Sequence, residues 1–285
     1  MGLQGTKVRI AVDTEPDLNI NNHEKILRSP YLLVIGLALV GACAGIPYHL
    51  EYIRITTDTL GASLLPQSVL SANIFFQLFI PAAIASVIGL FILERAFPWA
   101  FRFPLPGQIV KIPPMSGSSI ILVAILVGMV MGLFLTLLTP ISNYLIPGFS
   151  GNTVVYLLDR IAPWKGLLAA VSAGIIEELE YRLCFMTLFV WIGTRLVRVT
   201  EPSRAILWVA NLIAILPFGF MHLNNVIAAG GQITPISVGI VLFGNGICGL
   251  AFGVLYWRNG LSSAIIAHMV MDIILYALVP FLLLL

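Results

Sequence analysis

Ile175–Arg182 reads IIEELEYR and places three carboxylates and a guanidinium inside a long apolar segment. An apolar run precedes it from Leu167, and another follows it as far as Val190. Ionisable groups are costly to place in the hydrocarbon core of a membrane, where they usually mark functional sites. The stretch therefore predicts a membrane-spanning helix that carries a functional centre.

The whole chain has the composition of a polytopic membrane protein. Of its 285 residues, 59% are hydrophobic and 10% are charged, whereas soluble domains carry about 25% charged residues. The net charge of +2 gives no indication of a nucleic-acid partner. We therefore expect an all-α, polytopic helical bundle that is surrounded by the lipid bilayer.

Seven apolar segments approach the length of about 20 residues that a helix needs to cross a bilayer. They are Tyr31–Tyr48, Ile74–Leu93, Ser119–Leu138, Gly166–Leu196, Ile206–Met221, Ile236–Tyr256 and Ser262–Leu284. A short apolar run at Val154–Leu158 could form a further, re-entrant helix. We therefore expect seven to eight helices, of which seven cross the membrane.

The basic residues between these spans predict the orientation of the chain. When the seven spans alternate, eleven basic residues fall on one side and three on the other. The eleven are Lys7, Arg9, Lys25, Arg28, Arg95, Arg102, Lys111, Arg195, Arg198, Arg204 and Arg258, and the three are Arg54, Arg160 and Lys165. Cytoplasmic loops carry the excess of Lys and Arg. The N-terminus is therefore expected in the cytoplasm, and the cell membrane is the expected location.

Three regions are expected along the chain. Residues 1–28 are polar and predict a cytoplasmic tail, and residues 29–150 contain three spans and the proline-rich segment Phe97–Ser118. Proline at this density predicts a non-helical connection. Residues 151–285 hold the unusual ionisable groups and are expected to form the functional membrane domain.

Helical spacing divides the charged stretch into two parts. Glu178 and Arg182 are four residues apart, which is the favourable order for an ion pair within a helix. The Glu177 side chain points about 100° around the helix from that of Glu178, so it is left free to interact with groups outside this pair. A purely stabilising intramembrane salt bridge is the alternative interpretation, but it accounts for Glu178 and Arg182 alone.

Two later spans carry histidines. Phe218 and His222 share a helical face at the end of the fifth span, where a single histidine is more often an interfacial residue than a ligand. His268 and Asp272 share a face of the last span, where the aspartate could orient the histidine ring. An internal polar pair for helix packing is the simpler interpretation of these two residues.

Glu177, His222 and His268 together bring an ionisable group from each of three helices. A glutamate and two histidines could bind a divalent metal such as zinc, or hold a water molecule with the glutamate as general base. A proton- or ion-coupled transporter would use the same residue types in a relay. The chain shows no evident two-fold repeat of the kind that many transporters contain, which favours hydrolysis.

The three motifs resemble the signature of the CPBP, or Abi, family, which includes type II CAAX prenyl proteases and bacteriocin-processing enzymes. They are Glu177-Glu178-x-x-x-Arg182, Phe218-x-x-x-His222 and His268-x-x-x-Asp272, in this order, and the resemblance covers roughly Gly166–Leu284. It implies an intramembrane endopeptidase that cleaves a membrane-associated peptide or protein, with its site open toward the cytoplasmic leaflet.

The resemblance also implies roles for the residues of this sequence. Glu177 would activate water with the help of His222, Glu178 and Arg182 would form the supporting pair, and His268 would be the second histidine. If a metal is bound, Glu177, His222 and His268 would be its ligands. A non-catalytic scaffold on the same fold would have no use for these costly charges.

Two positions depart from the family pattern. Asp272 stands where the prenyl-protein enzymes often have asparagine, so an amide donor for an oxyanion is missing. Glu180 adds a third acid about 60° around an ideal helix from Glu177, which could bring it into the same cavity. The sequence assigns Glu180 no role.

Overall fold

The computed structural model describes residues 20–60, 65–100, 107–109, 116–146, 161–228 and 231–283. This part of the chain is helical and contains no strand, which confirms the predicted all-α bundle. The helices are α1 (Ile20–Leu60), α2 (Gln67–Ala96), α3 (Gly117–Leu145), α4 (Pro163–Glu178), α5 (Thr187–Val197), α6 (Arg204–Met221), α7 (Leu223–Ala228), α8 (Pro235–Asn259), α9 (Leu261–Ile273) and α10 (Val279–Leu283). Two π-helical segments, π1 (Leu179–Met186) and π2 (Ile274–Leu278), continue α4 and α9.

Six helices of the described residues are long and apolar enough to cross a membrane. They are Pro30–Ile55, Gln67–Ala96, Gly117–Ser142, Arg204–Ile227, Pro235–Asn259 and Leu261–Leu282. Each contains most or all of one predicted span. The remaining predicted span, Gly166–Leu196, lies in a continuous helical run that π1 interrupts and that carries the acidic stretch.

Two predicted features fall partly or wholly outside the described residues. The possible helix at Val154–Leu158 lies outside them, so the count of seven crossings stays a prediction. The tail predicted for residues 1–28 is described only from Ile20, where α1 begins, so its last part is helical.

The described parts of the proline-rich segment pack into the bundle. Phe97, Ala100 and Ile109 are buried, and the Trp99 indole Nε1 donates a hydrogen bond of 2.9 Å to the Ile109 carbonyl. These residues join one hydrophobic core with side chains of π1, α8 and α9. The segment therefore closes one end of the bundle.

Helix α1 runs antiparallel to α4 and packs along it. Gly41 faces Ile176, Gly45 faces Ser172, and at the far end the Lys165 Nζ lies 2.8 Å from the Glu51 carboxylate. Helix α4 in turn packs antiparallel against α9 and π2, because Gly174 faces Met269 and Gly166 faces the Tyr276 backbone. The acidic end of α4 is therefore fixed between two neighbouring helices.

Small residues allow these close approaches. A Cβ placed on Gly89 of α2 would collide with the backbone carbonyl of Leu183 in π1. A backbone group can move only if the whole helix moves, so this contact holds π1 against α2. By contrast, a Cβ on Gly36 of α1 would meet nothing within 4 Å.

We expect Gly89→Ala to lower the thermal stability of the detergent-solubilised protein. Overpacking of a helix interface costs about 1–3 kcal/mol, and this exceeds the gain of roughly 1 kcal/mol from the better helix former. Gly36→Ala is the matched control and should leave the melting temperature unchanged or raise it. Equal melting temperatures for the two variants would contradict the packing described for π1.

Candidate active site

The acidic stretch lies where α4 changes into π1. Glu177 and Glu178 are the last residues of α4, and π1 begins at Leu179. π-helical turns are rare and occur frequently at functional sites. Because the helix widens here, the angles of an ideal α-helix apply to Glu177 and Glu178 but not to Glu180 or Arg182.

Glu178 and Arg182 form the ion pair that their spacing predicts. The Arg182 Nε lies 3.3 Å from the Glu178 Oε2, and both side chains are at most 1% exposed. The Arg182 Nη2 also donates a 3.1 Å hydrogen bond to the Gly249 carbonyl of α8. The guanidinium lies over the Phe218 ring at 5.0 Å from its centroid. Arg182 thus connects π1, α6 and α8.

Glu178 has a second partner that the sequence did not indicate. Its Oε1 lies 2.8 Å from the His268 Nδ1, and His268 is 2% exposed. An ionised carboxylate oxygen only accepts hydrogen bonds, so the Nδ1 hydrogen points at Glu178. The orienting group of His268 is therefore Glu178, whereas the spacing of the last motif predicted Asp272.

The other nitrogen of His268 faces two carboxylates. Its Nε2 lies 3.7 Å from the Glu177 Oε2 and 3.5 Å from the Asp272 Oδ2. The Glu177 side chain is 26% exposed, although its Oε2 atom is buried and has no hydrogen-bond partner among the described residues. Glu177 and Asp272 thus flank one ring nitrogen, and Glu177 has hydrogen-bonding capacity to spare.

His222 lies on the other side of Phe218. Its Nδ1 donates a 2.8 Å hydrogen bond to the Phe218 carbonyl, and its ring lies 4.9 Å from the Phe218 ring centroid. The Phe218 ring in turn meets the His268 ring edge-on at 6.1 Å. Five of the six predicted site residues therefore make a connected cluster, and His222 is separated from that cluster by one aromatic ring.

The described residues contain no group of three or more His, Cys, Asp or Glu side chains arranged to hold a metal ion. In the described residues, the Phe218 ring lies between His222 and His268, at 4.9 Å from the first ring and 6.1 Å from the second. Metal binding by Glu177, His222 and His268 stays a prediction.

Helix α1 and π2 contribute polar groups that the sequence analysis missed. The Tyr48 and Tyr276 rings lie 5.7 Å apart. The Tyr276 phenol interacts electrostatically with Asp272 and Glu177, and the His49 ring interacts with Glu177. Tyr276 follows Asp272 by four residues, so helical spacing could have indicated it. Tyr48 and His49 interrupt an otherwise apolar span, which was the available signal for α1.

Glu180 is the third acid of the stretch. Its side chain is partly exposed and interacts electrostatically with Glu177, so it lies near that carboxylate. It is not part of the cluster of ion pairs around His268. The structure assigns it no partner in the chemistry.

Comparison with known proteins gives one match. Residues 159–274 match the type II CAAX prenyl endopeptidase Rce1-like family. The family resemblance predicted from the motifs is thereby confirmed for this segment, and all the predicted site residues lie inside it. The comparisons found no match among curated proteins and none among solved structures.

We expect Arg182→Ala to destabilise the protein strongly. The substitution leaves Glu178 charged and buried, and removal of one partner from a buried ion pair costs about 3–5 kcal/mol. Thermal unfolding in detergent measures the effect. Arg195→Ala is the matched control, because Arg195 is exposed in the last turn of α5. A melting temperature equal to that of the control would show that the buried pair is dispensable.

Proposed function

We propose that this protein is an intramembrane endopeptidase that hydrolyses a peptide bond of a membrane-associated peptide or protein. One observation carries the proposal: the Glu177 carboxylate and the His268 Nε2 converge from two helices to 3.7 Å, and the buried Glu177 Oε2 has no hydrogen-bond partner among the described residues. The family match of residues 159–274 supports peptide hydrolysis over a proton relay, which would use the same groups. The cell membrane is the proposed location.

Glu177 is the proposed general base. Its Oε2 accepts a hydrogen bond from a water molecule and takes a proton as the water oxygen attacks the scissile carbonyl carbon. The C–O bond forms while the carbonyl electrons move onto its oxygen. When the intermediate collapses, the C–N bond breaks, and the proton held by Glu177 passes to the leaving amine. The partial exposure of Glu177 allows water and substrate to reach it.

His268 is the proposed electrostatic partner of the intermediate. Glu178 holds the Nδ1 side of the ring, and Phe252 stacks on its face at 5.0 Å, so the direction of Nε2 is fixed. A preorganised donor aimed at developing negative charge needs no rearrangement during the reaction. A protonated Nε2 facing the reaction centre would meet this requirement. In this scheme Arg182 acts on the reaction only through Glu178.

His222 and Asp272 have different proposed roles. The His222 Nδ1 donates a hydrogen bond to the Phe218 carbonyl, which leaves its Nε2 available. This Nε2 could contact the substrate or the water molecule from the other side of the Phe218 ring. Asp272 lies 3.5 Å from the His268 Nε2 and balances the charge of the imidazolium. An ionised Asp272 cannot donate a hydrogen bond to an oxyanion.

Tyr276 is the proposed replacement for the missing amide donor. It lies in π2, four residues after Asp272, and its phenol is close enough to Asp272 and Glu177 to interact electrostatically with both. Side chains of a helix lean toward its N-terminus, which directs this phenol back toward Asp272. The tyrosine hydroxyl can donate at neutral pH without any change of charge.

We expect Glu177→Gln to lower cleavage by at least the 10²–10⁴-fold that is typical for loss of a general base. The melting temperature should be preserved, because the Oε2 of Glu177 makes no hydrogen bond within the described residues. Proteoliposomes with membrane-anchored test peptides and mass spectrometry of the products provide the measurement. Glu201→Gln, at an exposed loop position, is the control. Retained cleavage by the Glu177 variant would refute the proposed mechanism.

We expect Tyr276→Phe to lower kcat by roughly 10²–10³-fold, the usual effect of removing one oxyanion donor. KM should change much less, because the ring and its contacts stay. Tyr144→Phe removes a hydroxyl from a side chain that is 89% exposed and serves as the control. An unchanged kcat in the Tyr276 variant would leave His268 as the donor and exclude Tyr276 from this role.

A further inference from the structure

The two ends of the bundle differ in how they surround the site. The basic face is the end at which α2, α5 and α8 finish and α3, α6 and α9 begin. The opposite face is the end at which α1, α3 and α6 finish and α2, α4 and α8 begin. The two faces are thus defined by the helix termini at each end of the bundle, without reference to a membrane.

Between the site and the basic face, the interior is tightly packed. Fully buried apolar side chains fill this layer, namely Leu183, Met186, Val190, Leu90 and Leu261. Buried polar side chains in it are hydrogen-bonded: the Tyr256 hydroxyl lies 2.6 Å from that of Thr187, and the Ser263 hydroxyl donates to the Leu255 carbonyl. The buried Phe97, Ala100 and Ile109 close the end of the bundle beyond them. In the described part of the chain, these buried side chains separate Glu177 from the basic face.

Toward the opposite face, the site continues into polar residues, of which Tyr48 and Tyr276 are partly exposed. Asp272 is followed by Tyr276, which packs beside Tyr48 of α1. Side chains of a helix lean toward its N-terminus, and the part of α1 that precedes Tyr48 packs beside the acidic end of α4. The Tyr48 side chain therefore leans toward the level of Glu177. The Glu51–Lys165 ion pair lies further along, with side chains 24% and 21% exposed. These groups make a polar path from Glu177 to the opposite face.

The basic residues place the two faces relative to the membrane. Among the described residues after α1, the helix ends and loops of the basic face carry Arg95, Arg195, Arg198, Arg204 and Arg258. At the opposite face the described residues carry Arg54 and Lys165, of which Lys165 is paired with Glu51. Lys and Arg accumulate on the cytoplasmic side of membrane proteins. The basic face is therefore cytoplasmic, and the opposite face is not.

We propose that the active site is reached from the non-cytoplasmic side of the membrane. Given the peptidase function proposed above, on which this step rests, the substrate class is a membrane-anchored peptide or protein whose scissile bond lies in its exported part. The family resemblance alone implied access from the cytoplasmic leaflet. Packing and charge in this chain point to the other leaflet, because both the polar path and the scarcity of basic residues belong to the same face.

Thiol labelling in oriented membranes tests the proposal without an assay for cleavage. Cys43, Cys184 and Cys248 are replaced by alanine, and single cysteines are introduced as Tyr276→Cys and Tyr48→Cys in the polar path. Ser68→Cys reports the opposite face and Thr200→Cys reports the basic face, since both positions are exposed. A membrane-impermeant, negatively charged maleimide is applied to right-side-out and to inverted membrane vesicles. Melting temperatures show that each variant is folded.

We expect Tyr276→Cys, Tyr48→Cys and Ser68→Cys to react in right-side-out vesicles and Thr200→Cys to react only in inverted ones. Met186→Cys, in the packed layer, should stay unlabelled in both. Labelling of the Tyr276 variant together with the Thr200 variant would overturn the proposal, as would its failure to react from either side. Reaction of the Ser68 variant only in inverted vesicles would overturn the orientation. If Glu177→Gln still cleaves while the labelling pattern holds, the peptidase mechanism fails and the side of access stands.

Discussion

The structure depends on a glutamate whose side chain is completely buried. Glu178 is 0% exposed and lies between the Arg182 guanidinium and the His268 imidazole. A charge at membrane depth is costly unless partners surround it. These partners come from π1 and α9, and Arg182 extends the network to α8 and to the Phe218 ring of α6. The need to compensate this one carboxylate therefore fixes the relative positions of the helices that carry the site.

Chemically similar groups of the site have different surroundings. Two adjacent glutamates have different surroundings, because Glu178 is fully buried between Arg182 and His268, whereas the Glu177 side chain is 26% exposed and lies 3.7 Å from His268. In the proposed mechanism the buried glutamate orders the site, and the partly exposed one is available for proton transfer. The two nitrogens of His268 also differ, because Nδ1 is hydrogen-bonded to Glu178 at 2.8 Å, whereas Nε2 faces Glu177 and Asp272 at 3.7 and 3.5 Å.

Much of this could be predicted from the sequence. Hydropathy gave the spans, and i,i+4 spacing gave both the Glu178–Arg182 pair and the proximity of His268 to Asp272, because these are properties of single helices. The bond between Glu178 and His268 joins residues 90 positions apart, and no periodicity reports such a contact. The π-helical turn also changes the direction of the residues after Leu179 in a way that an ideal helix cannot predict.

The packing of α1 along α4 has a consequence for where the functional unit begins. The family match starts at residue 159, and the change of composition suggested a boundary near residue 150. A fragment trimmed to either limit would lose Tyr48, His49 and the partner of Lys165, and it would leave one flank of α4 open to lipid. The segment that carries the motifs is thus shorter than the segment that folds around them. In this protein the segment that matches the family and the segment that packs around the site are therefore different lengths of chain.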